Sequence, residues 1–136
     1  MFVMRPILLA GLICGILDCI AATALSGWRF TRVWQFVSGA IGMKSVTVGL
    51  ILHFLVATSA AAVFYLASRK ISALLERPLV SGVLFGLIVH LVMSQIVVPL
   101  SAIGRRPFNA SSFFAQLAVH MLIVGPSIAL TIRYGR

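Results

Sequence analysis

Carboxylates are scarce in this chain: Asp18 and Glu76 are the only two in 136 residues. Lysine and arginine together number 11, so charged side chains make up 10% of the sequence, where a water-soluble domain carries about 25%. With a mean hydropathy of +1.13 as well, the expected solvent is lipid. The signatures of hydrolytic enzymes are also missing. There is no Gly-rich phosphate loop, and a single acid within the apolar runs leaves no Ser/His/acid set, so no catalytic residue is assigned. Cys14 and Cys19, the only cysteines, would point about 140° apart on a helix and cannot pair within the chain. No Cys-x-x-Cys-His for covalent haem attachment occurs. A net charge of +9 is common among nucleic-acid binders. Here, however, the basic residues stand in short clusters between long apolar runs, which is the pattern of membrane loops. The bilayer, and not nucleic acid, is the expected partner.

Four runs are long enough to cross a hydrocarbon core about 30 Å thick as helices: residues 6–26, 45–67, 78–101 and 112–132. Pro6 and Pro78 suit first-turn positions, and Ser111 or Ser112 suits the cap of the fourth helix. The first run has a signal-peptide flavour, with Arg5 ahead of it and Ala22-Thr23-Ala24 near its end. It is longer than a usual signal core and contains Asp18, so it reads as a span. Between the first two spans, Phe30, Val33, Trp34, Val37 and Ile41 recur at helical spacing among Arg29, Arg32 and Gln35. This predicts a short amphipathic helix at the interface, with Trp28 and Trp34 at headgroup level. The expected fold is an all-α integral membrane protein, one domain over 1–136: a four-helix transmembrane bundle plus one interfacial helix. One set of loops and ends carries Arg5, Arg69, Lys70, Arg77, Arg133 and Arg136, and the other carries Arg29, Arg32, Lys44, Arg105 and Arg106. That small bias favours cytoplasmic termini and leaves insertion in both orientations open.

Apart from thiols, each span holds one ionisable side chain: Asp18, His53, His90 and His120. An intramembrane charge costs about 2.5–3.5 kcal/mol on insertion scales, so such groups mark function or a specific partner. Counting about 1.5 Å per residue along alternating helices brings all four near the midplane. Each also lies on a stripe of small or polar residues: Gly11, Gly15, Asp18 and Ala22; Gly49, His53 and Ala57; Gly82, Gly86, His90 and Ser94; Gln116, His120, Val124, Ser127 and Thr131. Pro126 is expected to leave the Leu122 carbonyl without its donor and to kink the fourth helix beyond His120.

Several chemistries suit this set. Three imidazoles and a carboxylate match a transition-metal site formed by Asp18, His53, His90 and His120, with Cys14 one turn from Asp18 as a further ligand. A b-type haem between His53 and His120 is the second cofactor reading, with Gly49 and Gly86 leaving room for a flat macrocycle. A proton-coupled small-molecule carrier with Asp18 as coupling residue is the third; its layout resembles the small multidrug-resistance antiporters, whose essential acid is a glutamate where this chain has Asp18. A structural or accessory subunit of a larger membrane complex, or a homo-oligomer docking through its glycine pairs, is the fourth. Pro99-Leu100-Ser101-Ala102 ahead of Arg105-Arg106-Pro107, together with the His53 and His90 spans, resembles small bacterial inner-membrane proteins of the YagU-like type. That resemblance implies a four-helix protein of the bacterial inner membrane and no particular activity.

Overall fold

The computed structural model describes residues 2–136 and is helical almost throughout. Helix α1 (Met4–Leu25) is followed by α2 (Phe30–Ser38), which runs into a 3-10 turn at Gly39–Ile41. Then come α3 (Val46–Lys70), the short α4 (Ala73–Glu76), α5 (Pro78–Leu100) and α6 (Ala110–Tyr134). Helices α1, α3, α5 and α6 are each long and apolar enough to cross a membrane, and their bounds fall within three residues of the expected spans. Leu8, Leu12, Ile16, Leu55, Leu84 and Ile88 project from them, exposed as lipid-facing side chains are.

Local chemistry sets the helix ends. Ser45 caps α3 by accepting the Val48 N–H at 3.3 Å, and Arg69 and Lys70 sit in its last turn, where the helix dipole favours cations. Pro78 opens α5, where its missing N–H costs nothing. The fourth span is capped by Asn109, whose Oδ1 accepts the Ser112 N–H at 3.0 Å; Ser111 and Ser112 fall inside the first turn instead. Ser38, fully buried, ties the α2–α3 connection together. Its Oγ lies 2.7 Å from the Gln35 carbonyl and 2.9 Å from that of Met43, and accepts the Ser45 N–H at 2.9 Å.

Two spans contain a π-helical turn, Met93–Val97 in α5 and His120–Val124 in α6, each ending two residues before a proline. The cause is steric. Pro99 and Pro126 offer no N–H and press on the carbonyls four residues back, Gln95 and Leu122, and a wider turn relieves both problems. The break expected at Pro126 is therefore a widened turn, and α5 has a second that the sequence reading did not anticipate.

Helix α6 occupies the middle of the bundle, packed against α1 on one side and α5 on the other, while α3 packs on α1 and carries α2. Glycines set the close approaches. A Cβ on Gly11 would lie 2.7 Å from the Thr58 Cα, and one on Gly82 would lie 2.7 Å from the Pro126 Cα. The α1–α3 and α5–α6 pairs thus meet nearly backbone to backbone, the packing that small residues permit in lipid. Ala10, Cys14, Ala61, Phe64, Ile128, Ala129 and Ile132 fill the buried centre. Phe64 also reaches Phe85 on α5 in an edge-to-face contact at 5.1 Å. At one end of the bundle the Ala102 N–H donates to the Ala40 carbonyl at 3.1 Å, and Arg106 covers the Phe36 ring at 4.7 Å. Both termini lie at the opposite end, where Phe2 and Arg136 line the same cavity.

Candidate functional site

Counted along the observed helices from the end that carries the termini, Asp18, His90 and His120 lie about 18–21 Å in and His53 about 25 Å in. Similar depth does not bring the four into one cluster. They form two pairs, Asp18 with His53 between α1 and α3, and His90 with His120 between α5 and α6. Among the described residues, no three His, Cys, Asp or Glu side chains come together in a group able to hold a metal ion. Neither pair gains a third ligand from these described residues, and Cys14 is buried in the core. The four-ligand arrangement expected from the sequence is therefore not what the helices build.

The first pair is the more closely specified. His53 Nε2 lies 2.9 Å from the Gly15 carbonyl on α1. A carbonyl only accepts, so Nε2 carries the hydrogen, and in the neutral ring Nδ1 is the bare lone pair. That Nδ1 faces Asp18 Oδ2 at 3.8 Å. A lone pair against a carboxylate is repulsive, whereas one added proton on either partner makes the contact attractive. With that proton the contact is either carboxylate beside imidazolium or carboxylic acid beside neutral ring. The side chains are 21% and 12% exposed respectively, largely removed from the surroundings.

Trp34 forms the wall behind His53, with ring centroids 4.8 Å apart, and Phe54 meets the same imidazole edge-on at 5.3 Å. Helix α2 lies between the first two spans as expected, at the end of the bundle where α3 begins, but its two indoles differ. Trp28 is 70% exposed, as an anchoring indole should be, but Trp34 is 1% exposed and its Nε1 finds no acceptor among the described residues. The reason is Gly49, one turn before His53: a Cβ there would overlap the Trp34 carbonyl, so α2 lies directly on α3.

In the second pair the rings stand 5.2 Å apart, tilted by 52°, with Phe113 packed edge-on to His90 at 4.7 Å. The His120 Nδ1–H donates to the Gln116 carbonyl at 2.7 Å, which leaves its Nε2 as the lone pair. His90 is 2% exposed, and among the described residues its Nε2 has no hydrogen-bond partner. His120 also begins the π turn of α6. Gly86, one turn before His90, receives the backbone of His120 and Met121, and Gly82 receives that of Gly125 and Pro126. The space expected at Gly49 and Gly86 for a haem is thus occupied by protein backbone, and His53 and His120 belong to different pairs.

No family model, curated protein or solved structure matches this chain. The fold and composition define a multi-pass membrane protein with two polar pairs inside its spans.

Proposed function

We propose that this protein is a proton-coupled carrier of a small solute, with the Asp18–His53 pair as the group that takes up and releases the proton. One observation carries the reading. The Gly15 carbonyl fixes the His53 tautomer, so that the Nδ1 lone pair faces the Asp18 carboxylate at 3.8 Å, a contact that one added proton turns from repulsive to attractive. Placing such a pair within two spans has a cost in lipid that a purely apolar contact would not have, and proton relays are among the functions for which that cost is borne. The YagU-like resemblance supports a place in the bacterial inner membrane.

The test uses the intact protein reconstituted in liposomes that enclose a pH-sensitive dye. It is challenged with lipophilic cations, primary amines and carboxylates in turn. One of these classes is expected to drive proton movement through the wild type, none through Asp18→Asn, and reduced movement is expected through His53→Gln. In pH-difference infrared spectra, a carboxyl band present in the wild type and in Glu76→Gln should vanish in Asp18→Asn. A folded Asp18→Asn protein that moves protons like the wild type would refute the reading, as would a wild type inert to all three classes.

A second reading, binding of a transition-metal ion, is favoured by the His90–His120 pair alone. An Nε2 lone pair on His120 and an unpartnered Nε2 on His90 supply two of the four ligands such an ion takes, and the others would come from outside the chain. Cobalt titration separates the two readings, since a visible absorption band lost in His90→Gln but kept in Asp18→Asn would belong to the metal site.

A further inference from the structure

The end of the bundle that carries the termini is electrostatically one-sided. Arg5, Arg69, Lys70, Arg77, Arg133 and Arg136 lie there, with Glu76 as the accompanying acid. Among the described residues, no arginine or lysine lies within ion-pair distance of a carboxylate, the one such contact being Asp18 with His53. Six cations at this end thus accompany one acidic side chain, Glu76, and among the described residues none of the six is ion-paired with it.

A cavity of about 680 Å³ opens among these cations, between the start of α1, the end of α3, α4 and the C-terminal residue. Pro6 and Tyr65, both buried, form its apolar floor, and Arg69, Arg136, Ser68 and Ser72 bring cations and hydroxyls to it. Arg136 is held in place: it donates to Ser68 Oγ at 2.8 Å, and its guanidinium lies 5.4 Å from the centre of the Tyr65 ring. The Ser68 hydroxyl in turn donates to the Tyr65 carbonyl at 2.7 Å, so it is committed before any ligand arrives. A fixed guanidinium with four of its five N–H donors unspent is suited to a phosphate ester. The last turn of α3 and the first of α1 place the cavity at headgroup depth, with an apolar floor toward the hydrocarbon.

We infer that this cavity binds the phosphate of an anionic phospholipid, Arg69 and Arg136 engaging the headgroup while Pro6 and Tyr65 take the glycerol and the first acyl carbons. A soluble phosphate ester shares the headgroup chemistry but gains nothing from the apolar floor. The site is independent of the proton pair, being at the membrane surface and sharing no residue with it.

The experiment is lipid retention by the detergent-solubilised full chain, read by native mass spectrometry and thermal unfolding, with phosphatidylglycerol, phosphatidylcholine and glycerol 3-phosphate as separate probes. Phosphatidylglycerol is expected to be retained and to raise the unfolding temperature, while the other two do neither. Arg69→Gln with Arg136→Gln should weaken retention about thirtyfold, and Arg69→Gln alone, which leaves the Arg136–Ser68 bond intact, about fivefold. Arg29→Gln with Arg32→Gln removes the same charge at the opposite end and should leave retention unchanged. Equal loss in that control would show diffuse attraction and overturn the site. Equal retention of phosphatidylcholine would also overturn it, and stabilisation by glycerol 3-phosphate alone would replace the lipid with a soluble ester.

Discussion

Replacing Gly86 by alanine tests the backbone contact that joins α5 to α6 and sets the His90–His120 pair. The new Cβ would stand 2.6 Å from the His120 carbonyl carbon and 2.8 Å from the Met121 Cα, where ordinary contact begins near 3.4 Å. Both neighbours are backbone, so no side chain can swing aside, and the two helices must part by about 1 Å. A gap of that size forfeits a quarter to a half of the dispersion energy at each contact along the crossing, and overpacking of this kind costs up to about 3 kcal/mol. Alanine recovers about 1 kcal/mol through its better helix propensity. The net expectation is a loss of about 2 kcal/mol, close to a thirtyfold change in the folded-to-unfolded ratio. The assay is unfolding in mixed micelles titrated with a denaturing detergent, followed by helical circular dichroism. Gly39→Ala is the control, because its Cβ would meet only Ile103 Cγ1 at 3.6 Å, and it should leave stability unchanged or raise it by up to about 1 kcal/mol. If Gly86→Ala unfolds at the wild-type detergent fraction, the helices do not meet through their backbones and the argument fails.

Two further outcomes follow from the same geometry. In Trp28→Phe the remaining emission comes from buried Trp34 and should resist quenching by aqueous iodide, whereas in Trp34→Phe it comes from exposed Trp28 and should be quenched strongly; equal quenching would contradict the docking of α2 on α3. Pro126→Ala should let the π turn at His120–Val124 close into ordinary α-helix and rotate the N-terminal half of α6 relative to α5, measured as a changed distance between spin labels at Leu84 and Phe114. An unchanged distance would show that the proline is not what holds the turn open.

Much of the fold was legible because hydropathy and length carry it: the four runs, Pro78 at the start of the third span, and small-residue stripes that do face other helices. The stripes mark contact faces but not which helix each one meets. Gly11 and Gly15 turn toward α3, and Gly82 and Gly86 toward α6, so the ionisable residues at similar depth divide into pairs. The stripe along the fourth span is also incomplete at a definite point. Val124, four residues after His120, is buried as the spacing requires, but Gly125, five residues on, is the one that meets α5 backbone to backbone, because the π turn adds one residue to the repeat. Pro126 is the available sign, but a proline within a helix signals a kink as readily as a widened turn. The burial of Trp34 was harder to see, since it depends on Gly49 admitting a backbone from a helix whose own amphipathic pattern also suits a membrane surface. The tautomer of His53 is set by the Gly15 carbonyl, and no residue type encodes that contact.

The pairing of neighbouring spans has a consequence for biosynthesis. His53 and the Gly15 carbonyl that receives its hydrogen bond are 38 residues apart in the chain, with no other span between them. At about 5–20 residues per second, the partner for the α1 polar face leaves the ribosome about 2–8 s after it. His90 and His120 stand in the same relation on the next two spans. Each hairpin can therefore shelter its own polar groups as it enters the bilayer, and no span has to wait in lipid for the far end of the chain.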